Sequence, residues 1–180
     1  DVVKSGTYAW KGVPFAKAPT GALRWKAPAD PDTWTDTKAT TRFASPCVQY
    51  GRIYGPGTNN TYDATIATTL NQAVGSEDCL YLNIWRPANG DGGLPVILFI
   101  HGGSNVSGYT ADPVYDGAAL AKAANAVVVT ANYRLGIFGW LNVPQLKEDT
   151  NAAEDSGNFA TLDNIKALQF INANIANFGG

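Results

Sequence analysis

Residues 79–85 read Cys-Leu-Tyr-Leu-Asn-Ile-Trp. Leu80, Leu82 and Ile84 alternate with Tyr81 and Asn83, the two-residue period of a strand. A turn of Asn89, Gly90, Asp91, Gly92 and Gly93 follows, and then residues 94–100 (LPVILFI), apolar on both faces as a central strand requires. Beyond a glycine-rich loop, residues 116–125 (DGAALAKAAN) predict a helix with an acidic cap and with Leu120 and Ala124 on one face. Residues 126–131 (AVVVTA) predict a second buried, β-branched strand. Strand, helix and strand at this spacing form a βαβ unit, whose two strands should be parallel with a right-handed crossover. Between 158 and 178, Leu162, Ile165, Leu168, Ile171, Ile175 and Phe178 recur at three- and four-residue intervals. They predict an amphipathic helix of about five turns, closed by Gly179 and Gly180.

The rest of the chain is less regular. Residues 1–46 are rich in Pro, Gly, Trp and Thr and carry no helical period, which predicts irregular chain with short strands. Residues 47–75 hold Gly, Asn, Thr and Tyr with little to build a core. They predict a long surface loop with one helical turn near 64–72, and loops of that length are functional or tied down. No internal repeat, low-complexity tract or linker divides residues 1–180, so they are read as belonging to one domain.

Composition narrows the classes. Of the 180 residues 45% are hydrophobic, with five Trp and eight Tyr, enough for a packed core. Thirteen basic residues against fifteen acidic ones leave a net charge of −2, with no basic cluster to bind nucleic acid. The longest apolar run falls well short of the roughly 20 residues that span a bilayer. No charged segment followed by an apolar one opens the chain, which predicts neither a membrane-spanning protein nor a precursor with its leader. The absence of Met, even at position 1, predicts that something was removed at the N-terminus. Cys47 and Cys79 are an even count, compatible with a bridge or with two buried thiols.

The candidate chemistry lies where the run 94–100 stops at His101-Gly102-Gly103-Ser104. In open α/β sheets ligands bind beyond the carboxyl ends of the strands, and this loop leaves at that end. Backbone N–H groups bared there suit a developing oxyanion. The same string also satisfies the steric needs of a tight turn.

The stretch Gly75-Ser76-Glu77-Asp78-Cys79-Leu80-Tyr81-Leu82-Asn83-Ile84-Trp85 resembles the signature of the type-B carboxylesterases and cholinesterases. So do Trp10-Lys11-Gly12-Val13-Pro14-Phe15-Ala16, Gly21-Ala22-Leu23-Arg24-Trp25, Asn132-Tyr133-Arg134-Leu135-Gly136, and Gly157-Asn158 with Leu162-Asp163-Asn164 through Phe178-Gly179-Gly180. The resemblance implies an α/β-hydrolase fold, a central mostly parallel sheet with flanking helices, of which this chain would be about the first third. It implies a serine carboxylesterase working through an acyl-enzyme, whose nucleophile sits on a G-x-S-x-G elbow. No such string occurs in the chain, so nucleophile, acid and base are expected in sequence outside it, in the remainder of the same domain. The alternative is a cholinesterase-like adhesion or binding protein that keeps the fold without the nucleophile.

By the same resemblance Gly103 and Ser104 offer their N–H groups to the oxyanion and Gly102 provides the turn. Ser104 replaces a third glycine, and is expected to need negative φ to present its N–H. His101, the only histidine, orients the loop rather than acting as base. Asn105 stands where an aromatic commonly lies beside the acyl pocket, pointing to small or polar acyl groups. Cys47 and Cys79 close a gorge-rim disulfide loop, which implies a secreted or periplasmic location. Residues 63–78 of that loop hold no aromatic to receive choline, while Tyr50, Tyr54 and Tyr62 are candidates for the entrance. Arg24 with Glu77, and Arg134 with Asp163, are expected as buried ion pairs. No metal or cofactor is expected. Asn59-Asn60-Thr61 and Asn105-Val106-Ser107 match the N-glycosylation pattern and are read as coincidental.

Overall fold

The computed structural model describes residues 6–148 and 151–180. Four strands form the main sheet: β1 (Thr7–Pro14), β4 (Tyr81–Pro87), β5 (Val96–Ile100) and β6 (Val127–Ala131), in the order β1-β4-β6-β5. The short strands β2 (Gln49–Tyr50) and β3 (Ala73–Val74) make a separate antiparallel pair. In the main sheet β1 and β6 flank β4 antiparallel, and β5 runs parallel to β6. The βαβ unit is present, with its helix reduced to α2 (Ala118–Ala124). Its N-cap is Gly117 rather than the acidic residue, though Asp116 just before it accepts from the Ala118 amide at 2.9 Å, and Asn125 closes the helix in the left-handed conformation at φ 46°.

Successive β6 residues point to opposite faces, and both faces are covered. Val127, Val129 and Ala131 join Leu82, Ile84, Phe15, Leu135 and the helix α4 (Phe159–Asn174) in one core cluster. Val128 joins Trp85 and Ala121 of α2 in another. Coverage on both sides extends to β4, where Asn83 is buried as well as its apolar neighbours. Its amide donates to the hydroxyls of Thr110 (2.9 Å) and Thr130 (3.1 Å) and accepts from the Gly12 amide (3.0 Å). Gly12 lies where the β1–β4 register shifts, at φ 71°, so Asn83 satisfies the donor that this irregularity frees.

Two helix faces differ from their sequence pattern. In α2 the buried residue is Ala121, while Leu120 is 47% exposed. In α4 the buried residues are Phe159, Ala160, Asp163, Ala167 and Ile171, while Ile165 and Leu168 are exposed. Small side chains, Ala121 in α2 and Ala160 and Ala167 in α4, let each helix lie close to the sheet, while Leu120, Ile165 and Leu168 are left outside. Gly117 makes the closeness plain: a Cβ there would lie 2.8 Å from the Trp85 ring. The last residues of the predicted helix tighten into a 3-10 turn over Ile175–Phe178, and Gly179 ends it at φ 91°.

The run 94–100 is likewise not central among the described residues. β5 pairs with β6 on one side alone, and Val96, Phe99 and Ile100 are exposed. Between β1 and β2 the irregular stretch holds one 3-10 turn at Gly21–Leu23, and the surface loop holds one helical turn, α1 (Ile66–Thr69). Cys47 and Cys79 are joined by a disulfide across a sequence separation of 32, a closure that contributes roughly 3–4 kcal/mol if loop entropy dominates. Among the described residues no helix is long and apolar enough to cross a membrane, and no group of three or more His, Cys, Asp or Glu side chains is placed to hold a metal ion.

Arg134 and Asp163 are buried together. The Asp163 carboxylate accepts from Arg134 Nε (2.9 Å), Nη2 (2.7 Å) and the Arg134 amide (3.0 Å), and Arg134 Nη1 donates to the Lys26 carbonyl (2.9 Å). Burial pushes the Asp163 carboxyl up, and Arg134 opposes the shift. Arg24 and Glu77 also pair, with both contacts at 2.5 Å, yet their side chains are 40% and 21% exposed. That pair is thus half in solvent rather than buried as expected, and screened accordingly. Asp163→Asn, which strands a buried guanidinium, should lower the unfolding free energy by about 3–5 kcal/mol, read as a lower urea midpoint at unchanged slope. A shift no larger than that of Glu77→Gln would show that the pair is not what joins β6 to α4.

Candidate active site

Where β5 ends, His101 turns inward and the next four residues turn outward. The His101 ring is 2% exposed and stacks on Tyr133, with centroids 4.5 Å apart and planes 19° from parallel. Its Nδ1 lies 3.0 Å from the Gly102 carbonyl, so Nδ1 carries the proton, and Nε2 is buried without a partner among the described residues. Burial lowers the His101 pKa from its ordinary value, with the Gly102 carbonyl opposing. A neutral, sealed imidazole whose protonated nitrogen is engaged by its own chain is a loop brace and not an accessible base.

Gly102, Gly103, Ser104 and Asn105 are exposed. The Gly103 carbonyl accepts from the amides of Val106 and Ser107, each at 3.1 Å, which folds the loop back on itself. The amides of Gly103 and Ser104 have no acceptor among the described residues. Unpaired N–H groups in successive turn residues form a concavity suited to an anion. The Ser104 hydroxyl also makes no hydrogen bond among the described residues, so nothing there activates it as a nucleophile.

The backbone conformation corrects one expectation. Ser104 has φ 54°, not a negative value, and it lies between Gly103 at φ 128° and Asn105 at φ 61°. The left-handed region costs a side-chain-bearing residue about 1–2 kcal/mol, less for Asn, whose short polar side chain tolerates it. Such strain persists only where neighbours over-determine it. Gly103 is the extreme case, since a Cβ there would lie 1.9 Å from the Ser107 carbonyl oxygen.

Three groups supply that constraint, none of which was singled out from the sequence for this role. The Tyr133 hydroxyl donates to the His101 carbonyl at 2.8 Å. The Gly136 amide, at the start of α3 (Gly136–Gly139), donates to the Asn105 carbonyl at 2.7 Å. Gln49 grips Gly108 at the far end of the loop, accepting from its amide and donating to its carbonyl, both at 2.9 Å. Tyr133 and Gly136 were visible as parts of a motif, and Gln49 as the residue two beyond Cys47. No local pattern connects any of them to residues 101–108.

The disulfide sets Cys79, just before β4, beside Cys47, and Gln49 follows on β2. Tyr50, Tyr54 and Tyr62 on the loop it closes are 67%, 76% and 44% exposed. Asn59 is exposed in a turn of that loop.

The family model described as "Carboxylesterase family" matches residues 2–180. Fumonisin B1 esterase of Sphingopyxis macrogoltabida is 44% identical over 172 residues, which are 94% of this chain and 29% of that protein. Para-nitrobenzyl esterase of Bacillus subtilis is 38% identical over 98% of this chain and 33% of its own length, and liver carboxylesterase of Sus scrofa 41% over 94% and 28%. A solved PNB esterase superposes with a TM-score of 0.83 at 37% identity, over 99% of this chain and 34% of that one. A Geobacillus stearothermophilus carboxylesterase does so with a TM-score of 0.78 at 38% identity, over 98% and 33%. The chain therefore spans about a third of the length of these relatives. It belongs to the carboxylesterase family, and its sheet and helices are part of an α/β-hydrolase fold.

Proposed function

We propose that this chain supplies the oxyanion-stabilising part of a serine carboxylesterase whose nucleophile, acid and base lie in sequence outside these 180 residues. The observation that carries the reading is the exposed pair of unpaired amides at Gly103 and Ser104, beyond the carboxyl end of β5. When a serine adds to an ester carbonyl, negative charge grows on the carbonyl oxygen. Fixed N–H donors stabilise that charge without reorganising. Gly103 supplies one such donor, Ser104 a second because its amide stays without an acceptor among the described residues even at positive φ, and the residue after the serine a third. The serine passes its proton to the catalytic base, the alcohol leaves protonated, and water then releases the acid from the acyl-enzyme.

Residues 1–180 are the N-terminal portion of one α/β-hydrolase domain in this reading. The remainder covers the open edge of β5 and the exposed side chains Ile165 and Leu168, which an isolated fold would leave as an aggregation hazard. The substrate is a neutral ester with a small or polar acyl group, given Asn105 beside the two donors. Choline esters are disfavoured by the absence of an aromatic between residues 63 and 78. The disulfide supports an oxidising compartment, secreted or periplasmic.

The purified 180-residue polypeptide should neither hydrolyse p-nitrophenyl esters nor take up a fluorophosphonate label, and it should aggregate or stay partly unfolded. Turnover with stoichiometric labelling would put the nucleophile inside it. In the full-length enzyme Gly103→Val should lower kcat by about 10²–10³-fold. A side chain there must also displace the Ser107 carbonyl, 1.9 Å from where its Cβ would lie, so the folding midpoint should fall as well and kcat is read per titrated active site. An unchanged kcat would remove Gly103 from the oxyanion hole, and an inert residue in place of serine at the elbow would leave the adhesion-type alternative standing.

A further inference from the structure

Gln49 sits on the disulfide-closed loop, remote in sequence from residues 101–108, yet its side chain is 6% exposed and all of its strong contacts are spent at close range. Nε2 donates to the carbonyls of Gly108 (2.9 Å) and Cys47 (3.1 Å), and Oε1 accepts from the Gly108 amide (2.9 Å). An amide side chain offers two donor hydrogens and an acceptor oxygen, and both kinds are used here. The Gly108 N–H needs an acceptor, which fixes which end of the amide faces it.

Gly108 in turn backs the start of the loop. At φ 120° its α-carbon lies so close to the opposite arm that a Cβ would come 2.3 Å from His101 Nδ1 and 2.5 Å from the Gly102 carbonyl oxygen. The Gly102 carbonyl is therefore confined from two sides, by Gly108 and by the protonated Nδ1 of His101, 3.0 Å from the carbonyl oxygen. That carbonyl and the Gly103 N–H belong to one planar peptide unit and point in opposite directions. Holding the carbonyl against His101 aims the Gly103 N–H away from it, on the exposed side of the loop.

We infer that Gln49 is a positioning residue for the oxyanion amide of Gly103, acting through Gly108, the His101 ring and the Gly102 carbonyl. The inference rests on the oxyanion reading of Gly103 proposed above. It also gives the disulfide-closed loop a role in turnover besides shaping the entrance: Cys47 anchors the strand that carries Gln49, and its carbonyl is Gln49's third partner. The loop between residues 102 and 108 is exposed and left-handed at four positions, so it has little of its own to hold this geometry.

The test uses the full-length enzyme, with kcat and KM for p-nitrophenyl butyrate measured per active site titrated. Affinity for a trifluoromethyl ketone, whose hemiketal oxyanion occupies the same donors, is measured alongside. Gln49→Leu keeps the side chain's bulk and removes all three hydrogen bonds. It should lower kcat per site about 10- to 100-fold with KM within about twofold, and weaken the trifluoromethyl ketone by a similar factor, the size of effect that a small misplacement of reacting groups produces. Thr69→Val is the matched lesion, removing the bond from the Thr69 hydroxyl to the Pro56 carbonyl (2.9 Å) in the same disulfide-closed loop without touching Gly108. It should reduce stability and leave kcat per site unchanged.

Loss of stability in Gln49→Leu with kcat per site and ketone affinity intact would make Gln49 merely structural and overturn the inference. If too little Gln49→Leu folds, Gln49→Glu keeps the volume and an acceptor for the Gly108 amide but loses the donors. The same kcat loss at unchanged KM supports the inference, and full kcat overturns it. Gly103→Val measured beside these variants separates the two readings. An effect at Gly103 without one at Gln49 removes only the positioning role, whereas no effect at Gly103 removes the oxyanion reading beneath it.

Discussion

The buried pair of Arg134 and Asp163 ties the end of the sheet to α4, and three residues beside Arg134, namely Asn132, Tyr133 and Gly136, make long-range hydrogen bonds near the candidate site. Removing two charges from water is costly, and the cost is met only by complete hydrogen bonding in one arrangement. Arg134 reaches that state by binding Asp163 and the Lys26 carbonyl together. Its neighbours are thereby placed: Asn132 accepts from the Thr110 amide and donates to the Ser45 carbonyl, Tyr133 holds His101, and the Gly136 amide holds Asn105. One irregular segment after β6 thus ties together the start of the chain, the loop after β5 and the long helix.

That arrangement explains how an exposed loop keeps an expensive conformation. A turn with Ser104 and Asn105 in the left-handed region would relax if its ends were free. Its beginning is fixed by a buried ring and a tyrosine hydroxyl, its middle by the Gly136 amide, and its end by Gln49. The strain is local, and the restraints come from two distant parts of the chain, the segment after β6 and the disulfide-closed loop. In the proposed reaction this division matters, because donors that are already aimed need not reorganise as charge develops.

Much of the fold was legible in order and type. The strand at Leu82 and Ile84, the β-branched strand at 127–131, the helix before it and the final helix all stand where periodicity placed them, since period and turn chemistry are local properties. Their orientation was less legible. Leu120, Ile165 and Leu168 lie outside while Ala121, Ala160 and Ala167 lie inside, because how closely a helix approaches a sheet depends on the sheet's own side chains. Asn83 shows a complementary limit: alternation marks two faces, but it does not say whether the second meets water or a buried hydroxyl network.

At the candidate site the sequence by itself determined the glycine-rich break after residue 100, the lone histidine beside it and the family to which the surrounding motifs belong. Those are matters of residue type and local spacing. Only the tertiary structure decided that Ser104 takes positive φ, that His101 is sealed against Tyr133, and that Gln49 grips Gly108 across a separation of 59 residues. Each depends on which distant groups are brought within hydrogen-bonding or packing distance, and no local preference specifies that. A serine prefers negative φ when it is free to choose, and here its neighbours leave it no choice.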